Sequence, residues 1–228
     1  MKEIPILFNG EMVRAILEGR KTQTRRPIKL PRSAQGLEPV PYECFADNGY
    51  LHVAYGAGDD RFFERLYPRF EVGDILWVRE TFVLWGPQSY EYPSEGCDQW
   101  DGPPSRARDN GYDRSNVEYA ADAKDIRLNN NELKWRPSIH MPRWASRIQL
   151  RVKSVRVQRV QDITEEDAFD EGMTRSLRLS LGYVAEASEE AFNFTQCRDT
   201  FRLLWNATYK NWDANPWVWA IEFERVNA

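Results

Sequence analysis

Apolar positions recur along the chain with two different periods, and the period predicts which segments are helices and which are strands. Residues 10–18 have helical spacing, because their apolar side chains share one face of a short amphipathic helix. These apolar residues are Met12, Val13, Ile16 and Leu17. Asn9 is a suitable N-cap residue, and Gly19 suits the left-handed position that follows a helix. A short helix should therefore end just before residue 20.

Three other segments have the alternating pattern of strands. Residues 73–85 are apolar on both faces of one predicted strand, which is typical of a strand covered on both sides. Residues 147–160 alternate at first and then slip by one position, which indicates a bulge or a sharp bend. Residues 216–226 carry an aromatic face that we expect to belong to the core.

Two further helices follow from capping and stop signals. Thr164 precedes a run of acidic residues, and Gly172 follows that run, so residues 164–172 form a well-bounded short helix. Residues 188–209 have the spacing of a longer helix with a buried aromatic face. Strands separated by helices predict an α+β protein built on a small bent sheet or barrel.

The remaining segments predict loops. Residues 30–70 are rich in proline, and residues 86–116 are crowded with Gly, Pro, Asp and Ser. We therefore expect a single domain over residues 1–228, with loop insertions at about 30–70 and 86–116. At 228 residues, the chain is long enough to bury a core without a disulfide or metal.

The cysteine and histidine counts and the absence of several motifs make some kinds of functional site unexpected. Three distant cysteines and two histidines make a zinc site unexpected, and no cofactor is predicted. The sequence also lacks phosphate-loop, dinucleotide-binding and serine-hydrolase motifs. It has no apolar run long enough for a membrane span and no signal peptide, so we expect a cytoplasmic protein.

Charge is distributed unevenly, although the net charge is -4. Residues 134–160 carry many Lys and Arg but no acidic residue, and residues 14–32 contain one acid, Glu18. The first basic tract includes Lys21, Thr24, Arg25 and Arg26, directly after the predicted helix. The tract is either a solvated face balanced by nearby acids or a surface for an anionic ligand.

The predicted strand 73–85 contains two charged residues on apolar faces, Arg79 and Glu80. A buried charge needs a partner or a shifted pKa. Glu80 is therefore either one half of a structural ion pair or a carboxylate held in a pocket.

A second candidate site is the segment 135–147, in which aromatic and basic residues alternate around two prolines. Its candidate ligand-binding residues are Trp135, Arg136, Arg143, Trp144 and Arg147. Interleaved aromatic rings and guanidinium groups suit stacking on bases and contact with phosphates. The alternative is a buried loop in which the tryptophans pack and the arginines satisfy carbonyl groups.

Several of these blocks together resemble the ASCH family of the PUA-like superfamily. The residues Gly19, Lys21 and Arg26 fit its G-x-K-x-x-x-x-R signature. Four further blocks, VGDILWVRETF, KWRPSIHMPRWASRIQLRV, VQDITEEDAFDEG and NPWVWAIEFERV, resemble the larger ASCH proteins of tailed phages and prophages in the same order. The resemblance implies a PUA-like β-barrel with flanking helices and a cleft that binds RNA, a nucleotide or a modified nucleoside.

The resemblance also implies a candidate activity, because some small ASCH proteins are amidohydrolases that deacetylate N4-acetylcytidine without a metal. Their catalytic residues correspond by motif to Lys21, Thr24 and Glu80. A threonine hydroxyl needs a nearby base, which a desolvated lysine can provide, and Arg25 or Arg26 would stabilise an oxyanion or phosphate. The competing interpretations are a non-catalytic RNA- or nucleotide-binding module and a ribonuclease.

Overall fold

The structure is a computed structural model that describes residues 1–31, 39–47, 49–56, 62–84, 104–107, 112–122, 135–174, 177–178, 181 and 196–226. The strands are β1 Glu3–Leu7, β2 Gln23–Pro27, β3 Pro39–Asp47, β4 Tyr50–Tyr55, β5 Phe62–Leu66, β6 Ile75–Arg79, β7 Phe82–Leu84, β8 Val117–Tyr119, β9 Gln149–Arg159 and β10 Trp217–Val226. The α-helices are α1 Gly10–Leu17, α2 Pro104–Ala107, α3 Glu165–Asp170 and α4 Cys197–Tyr209.

The chain divides into two compact units. The first contains Met1–Gly19, Asp74–Arg151 and Arg225–Ala228, and the second contains Arg20–Gly73 and Val152–Glu224. Each unit combines strands with at least one α-helix, so the predicted α+β class is confirmed. No helix in the described part of the chain is long and apolar enough to cross a membrane.

In the first unit, β6 is the middle of three neighbouring strands. It pairs with β1 in parallel and with the beginning of β9 in antiparallel orientation. Helix α1 begins as predicted, because the side chain of Asn9 accepts a hydrogen bond from Met12 N at 2.8 Å. Gly19 has a φ angle of 76°, a backbone conformation that favours glycine.

The prediction of one strand over residues 73–85 is wrong. Strand β6 ends at Arg79, and β7 begins at Phe82 and pairs with β8. Phe82 also exchanges backbone hydrogen bonds with Arg136, at 3.2 and 2.8 Å. The break between the two strands falls at Glu80, whose side chain is held by an arginine. The alternating pattern had suggested a continuous strand through this charged residue.

In the second unit, β9, β10 and β2 lie side by side in that order. Strands β10 and β2 are antiparallel, with Ile221 opposite Thr24. Helix α3 has the predicted cap, because Thr164 accepts from Asp167 N at 3.0 Å, and Gly172 follows with a φ angle of 82°. Helix α4 is described from Cys197, and the earlier part of the predicted helix, residues 188–195, lies outside the described residues.

The prediction that residues 30–70 are a loop is also wrong, because β3, β4 and β5 form a three-stranded antiparallel sheet there. That this segment is an insertion stays a prediction. Four residues of β4, Leu51, Val53, Ala54 and Tyr55, are fully buried, and Gly49 has a positive φ angle of 79° in the turn between β3 and β4. The prolines in this segment favoured a prediction of turns. Strands form there nevertheless, because they bury one face of the sheet. Most of the predicted insertion 86–116 lies outside the described residues.

Candidate functional site

Lys21 is buried in the second unit, and acceptors surround its ammonium group. The side chain has no solvent-exposed area. Nζ donates to the carbonyl oxygen of Gln23 at 2.8 Å, to the carbonyl oxygen of Glu171 at 2.7 Å and to Glu171 Oε2 at 2.7 Å. An ammonium group has three donors, so these three bonds account for its whole capacity.

Arg25 is equally buried and shares the same carboxylate. It contacts Glu171 Oε1 at 3.3 Å and Asp167 Oδ2 at 2.8 Å, and its guanidinium lies 5.9 Å from the centre of the Phe201 ring. Glu171 therefore bridges two buried cations with its two oxygens. We call the four residues Lys21, Arg25, Asp167 and Glu171 the buried ion cluster.

Local geometry explains why these four residues meet. Asp167 and Glu171 are four residues apart, so they lie on the same side of α3 and its last turn. Along β2, alternate residues share a face, which puts Arg25 with Gln23, whose amide donates to Asp167 Oδ1 at 3.0 Å. Sequence reasoning missed Asp167 and Glu171 as partners of the basic tract, and their spacing of four residues is the signal that could have indicated a shared partner.

Thr24 lies on the other face of β2. It is 3 % exposed and stands between Gln23 and Arg25, so strand alternation directs its side chain away from the face that carries the cluster. Arg26, which is half-buried, is also two positions from Thr24 and shares its face. The structure thus brings Lys21 together with Arg25, but puts Thr24 on the opposite face of the strand from Arg25.

Burial lowers the pKa of Lys21, and the charge of Glu171 opposes that shift. A lowered pKa is what a lysine base requires. However, removing the proton would leave Glu171 with one cation fewer in a buried environment. The arrangement is best suited to a permanently charged ammonium that joins β2 to α3.

Glu80 belongs to the first unit, where Arg147 is its partner. The two side chains form a bidentate pair, with both nitrogen–oxygen distances at 2.9 Å, and Glu80 is only 1 % exposed. The same guanidinium bonds Asp122 and lies 3.9 Å from the centre of the Tyr119 ring. Arg147 therefore already holds two carboxylates, which occupies the donors that a phosphate would need.

The pKa of Glu80 lies above its ordinary value, because burial disfavours the charged form more than Arg147 favours it. A raised pKa is common at catalytic carboxyl groups, but buried ion pairs also produce it. The geometry favours the ion-pair interpretation for Glu80. Whether Glu80 shares a site with Lys21 and Thr24 stays a prediction.

The segment 135–147 combines two tryptophans with partly exposed arginines. The indole nitrogens of Trp135 and Trp144 are buried, and neither finds a hydrogen-bond acceptor within the described ranges. Trp144 also packs on the cluster of Phe82, Leu84 and other apolar residues. Nearly all buried donors in proteins are paired. Among the described residues the indole nitrogen of Trp217, in β10, is also buried without a partner, and the segment 135–147 holds the other two indoles of this kind.

Arg136 and Arg143 of this segment differ from the buried Arg25. Arg143 is 34 % exposed, donates to Glu3 Oε2 at 2.7 Å and lies 5.9 Å from the centre of the Trp77 ring. Arg136 is half-buried and fixed to β7 through its backbone. Both arginines thus retain solvent-accessible surface beside the tryptophans.

The described residues contain no group of three or more His, Cys, Asp or Glu side chains arranged to hold a metal ion. Comparison with known proteins found no matching family model, no matching curated protein and no matching solved structure.

Proposed function

We propose that this chain is an ASCH-type protein with a PUA-like barrel, and that it binds a nucleic-acid-derived ligand through the segment 135–147. The ligand class is RNA, a nucleotide or a modified nucleoside. The observation that carries the proposal is the pair of buried indole N–H groups, at Trp135 and Trp144, which lack acceptors among the described residues. The ordered sequence blocks that resemble ASCH proteins support the family and the ligand class.

The energetics favour a ligand rich in acceptors. An unpaired buried donor costs about 1–3 kcal/mol, so a ligand that supplies an acceptor recovers part of that cost. Nucleobases and phosphates provide acceptors, and bases also stack on aromatic rings. Arg136 and Arg143 add positive charge next to these rings. The segment therefore offers donors, stacking surfaces and charge together.

Binding without chemistry is the leading form of the proposal, because the candidate base is already engaged. All three donors of Lys21 are directed at acceptors of Gln23 and Glu171. A general base must instead reach the proton that it removes.

The binding proposal is tested by titrating the protein with fluorescently labelled RNA and with cytidine nucleotides at low and high salt. Arg143→Gln should weaken RNA binding and reduce its salt dependence, since one phosphate contact is lost. Arg202→Gln is the matched control, because Arg202 is 51 % exposed on α4. Equal affinities for the wild type, Arg143→Gln and Arg202→Gln would overturn the role of this segment.

Hydrolysis of N4-acylcytosine nucleosides is the second candidate, and the lowered pKa of buried Lys21 favours it. The test is conversion of N4-acetylcytidine to cytidine, followed by chromatography, without added metal. Thr24→Val should abolish turnover and Thr24→Ser should retain some of it, because only serine keeps the hydroxyl nucleophile. Absence of turnover by folded wild-type protein would exclude this activity, and the same samples incubated with RNA report any ribonuclease activity.

A further inference from the structure

The sheet of β3, β4 and β5 has one buried face. Residues paired across neighbouring strands share a face, and Leu51 is paired with Leu66 while Val53 is paired with Glu64. Leu51 and Val53 are fully buried, as is Tyr55 on the same face. This face is therefore the buried face of the sheet.

The opposite face of the same strands carries rings and positive charge. Its residues in β4, β5 and the position after β5 are Tyr50, His52, Ala54, Phe63, Arg65 and Tyr67. Phe63 is 54 % exposed, Tyr67 is 67 % exposed and Arg65 is also exposed, whereas Tyr50 and His52 are half-buried and Ala54 is buried. The exposed part of this face is therefore in β5 and the position after it. We call this set the aromatic sheet face.

Ring contacts organise one end of the aromatic sheet face. Tyr50 and Tyr67 meet edge to face with ring centres 5.2 Å apart, and the Arg65 guanidinium lies 5.2 Å from the Tyr50 ring centre. Glu64 belongs to the buried face, and Asp47, on β3, is paired with Tyr50 beside the turn. Among the outward-facing residues of β4 and β5, Arg65 is therefore the residue with a formal charge, and that charge is positive.

Solvent-facing positions of a half-buried sheet are usually polar, so exposed rings at these positions need an explanation. Exposed apolar patches commonly mark interaction sites. Here the exposed groups are ring faces beside a guanidinium and an imidazole, rather than aliphatic side chains. This combination complements flat bases joined by anionic phosphates.

We propose that the aromatic sheet face is a stacking surface for the bases of a single-stranded nucleic acid. Phe63 and Tyr67 would each stack on a base, and Arg65 would neutralise a neighbouring phosphate. A single strand is required, because bases in a duplex do not expose their faces to a protein sheet. The inference rests on the proposed function for its ligand class and makes that ligand a strand rather than a free nucleoside.

The test measures anisotropy of labelled single-stranded RNA of about 10 nucleotides, single-stranded DNA of the same sequence and the RNA duplex. The wild type should prefer single strands to the duplex, and the RNA and DNA arms identify the natural strand. Phe63→Leu should weaken binding at least about 5-fold because it removes the ring, whereas Phe63→Trp should retain affinity. Tyr67→Ala should behave as Phe63→Leu does, and circular dichroism checks that each variant is folded.

Charge is tested by Arg65→Gln, which should weaken binding and reduce its salt dependence, with Arg202→Gln as the control. The proposal is overturned if Phe63→Leu and Tyr67→Ala bind single strands with wild-type affinity. It is also overturned if the wild type binds no strand, or if the wild type is a dimer that Phe63→Leu converts to a monomer.

The two proposals fail separately. If Arg143→Gln weakens RNA binding while the sheet variants do not, the aromatic sheet face is excluded and the proposed site stands. If only the sheet variants weaken binding, the aromatic sheet face stands and the role of segment 135–147 fails. If the wild type binds nucleosides but no strand, the ligand class stands without the sheet proposal.

Discussion

At the residue scale, the decisive feature is that charged residues near the ASCH-like signature are satisfied inside the protein. Lys21 and Arg25 point at Glu171, and Glu80 is held by Arg147. The sequence singled out Glu80 as a charge on an apolar face and placed Lys21 and Arg25 in a basic tract, and the structure buries all three side chains. The acidic partners of Lys21 and Arg25, which are Glu171 and Asp167, were not identified, because ion pairs between distant segments depend on tertiary contacts.

The first prediction concerns the stability role of Lys21. Lys21→Met keeps a long side chain but leaves Glu171 with one buried cation instead of two. Breaking a buried ion pair in this way costs about 3–5 kcal/mol, so the free energy of unfolding should fall by that order. Urea unfolding followed by tryptophan fluorescence measures it. An unchanged unfolding midpoint would show that the buried ion cluster contributes little stability.

The second prediction concerns acid stability. Burial acts to raise the pKa of Asp167, but the hydrogen bond from Gln23 and the charge of Arg25 outweigh it, and the pKa lies below its usual 3.8. A carboxyl whose pKa is lower in the folded state stabilises that state fully above the unfolded pKa. This contribution disappears as the pH falls below 3.8 and through the folded pKa.

Asp167→Asn should therefore flatten the loss of stability between about pH 5 and pH 3, as measured by urea unfolding at each pH. Asp199→Asn is the control, because Asp199 is 63 % exposed on α4. Parallel pH profiles for the wild type and Asp167→Asn would contradict the electrostatic role of Asp167.

At the element scale, helix ends were predictable and sheet partners were not. Asn9, Thr164 and their closing glycines specify local hydrogen bonds and backbone angles, which a sequence reveals directly. The break between β6 and β7 and the sheet β3–β5 depend on contacts with distant segments. The alternation of residues in 73–85 looked like one continuous strand, because a sequence pattern does not show which strands pair with each other.

The third prediction concerns α3, the helix that positions the acidic residues of the buried ion cluster. Thr164→Ala removes the side-chain acceptor for Asp167 N, and should lower the free energy of unfolding by about 1 kcal/mol. Thr164→Ser keeps a hydroxyl at the cap and should lie near the wild type. Chemical denaturation compares the three proteins, and equal stability of all three would show that the cap is dispensable.

At the scale of the whole molecule, the chain consists of two α+β units, each with its own buried ion pairs. The sequence predicted the α+β class and the basic tracts, but not that much of the basic charge is neutralised internally. Arg25 and Arg147 each bind two carboxylates, while Arg143 pairs with the exposed carboxylate of Glu3 and is itself partly exposed beside the tryptophans of segment 135–147. This difference favours ligand binding through that segment over a site made from all basic residues.

The most direct test of this account is the response of individual tryptophan indole N–H signals to ligand. The chain has nine tryptophans, and Trp135→Phe and Trp144→Phe assign the two relevant signals in a ¹⁵N correlation spectrum. Titration with cytidine 5′-monophosphate, N4-acetylcytidine and a short single-stranded RNA should shift both signals in a saturable way with at least one probe. If neither signal moves with any probe while the protein remains folded, the proposed binding role of this segment is contradicted.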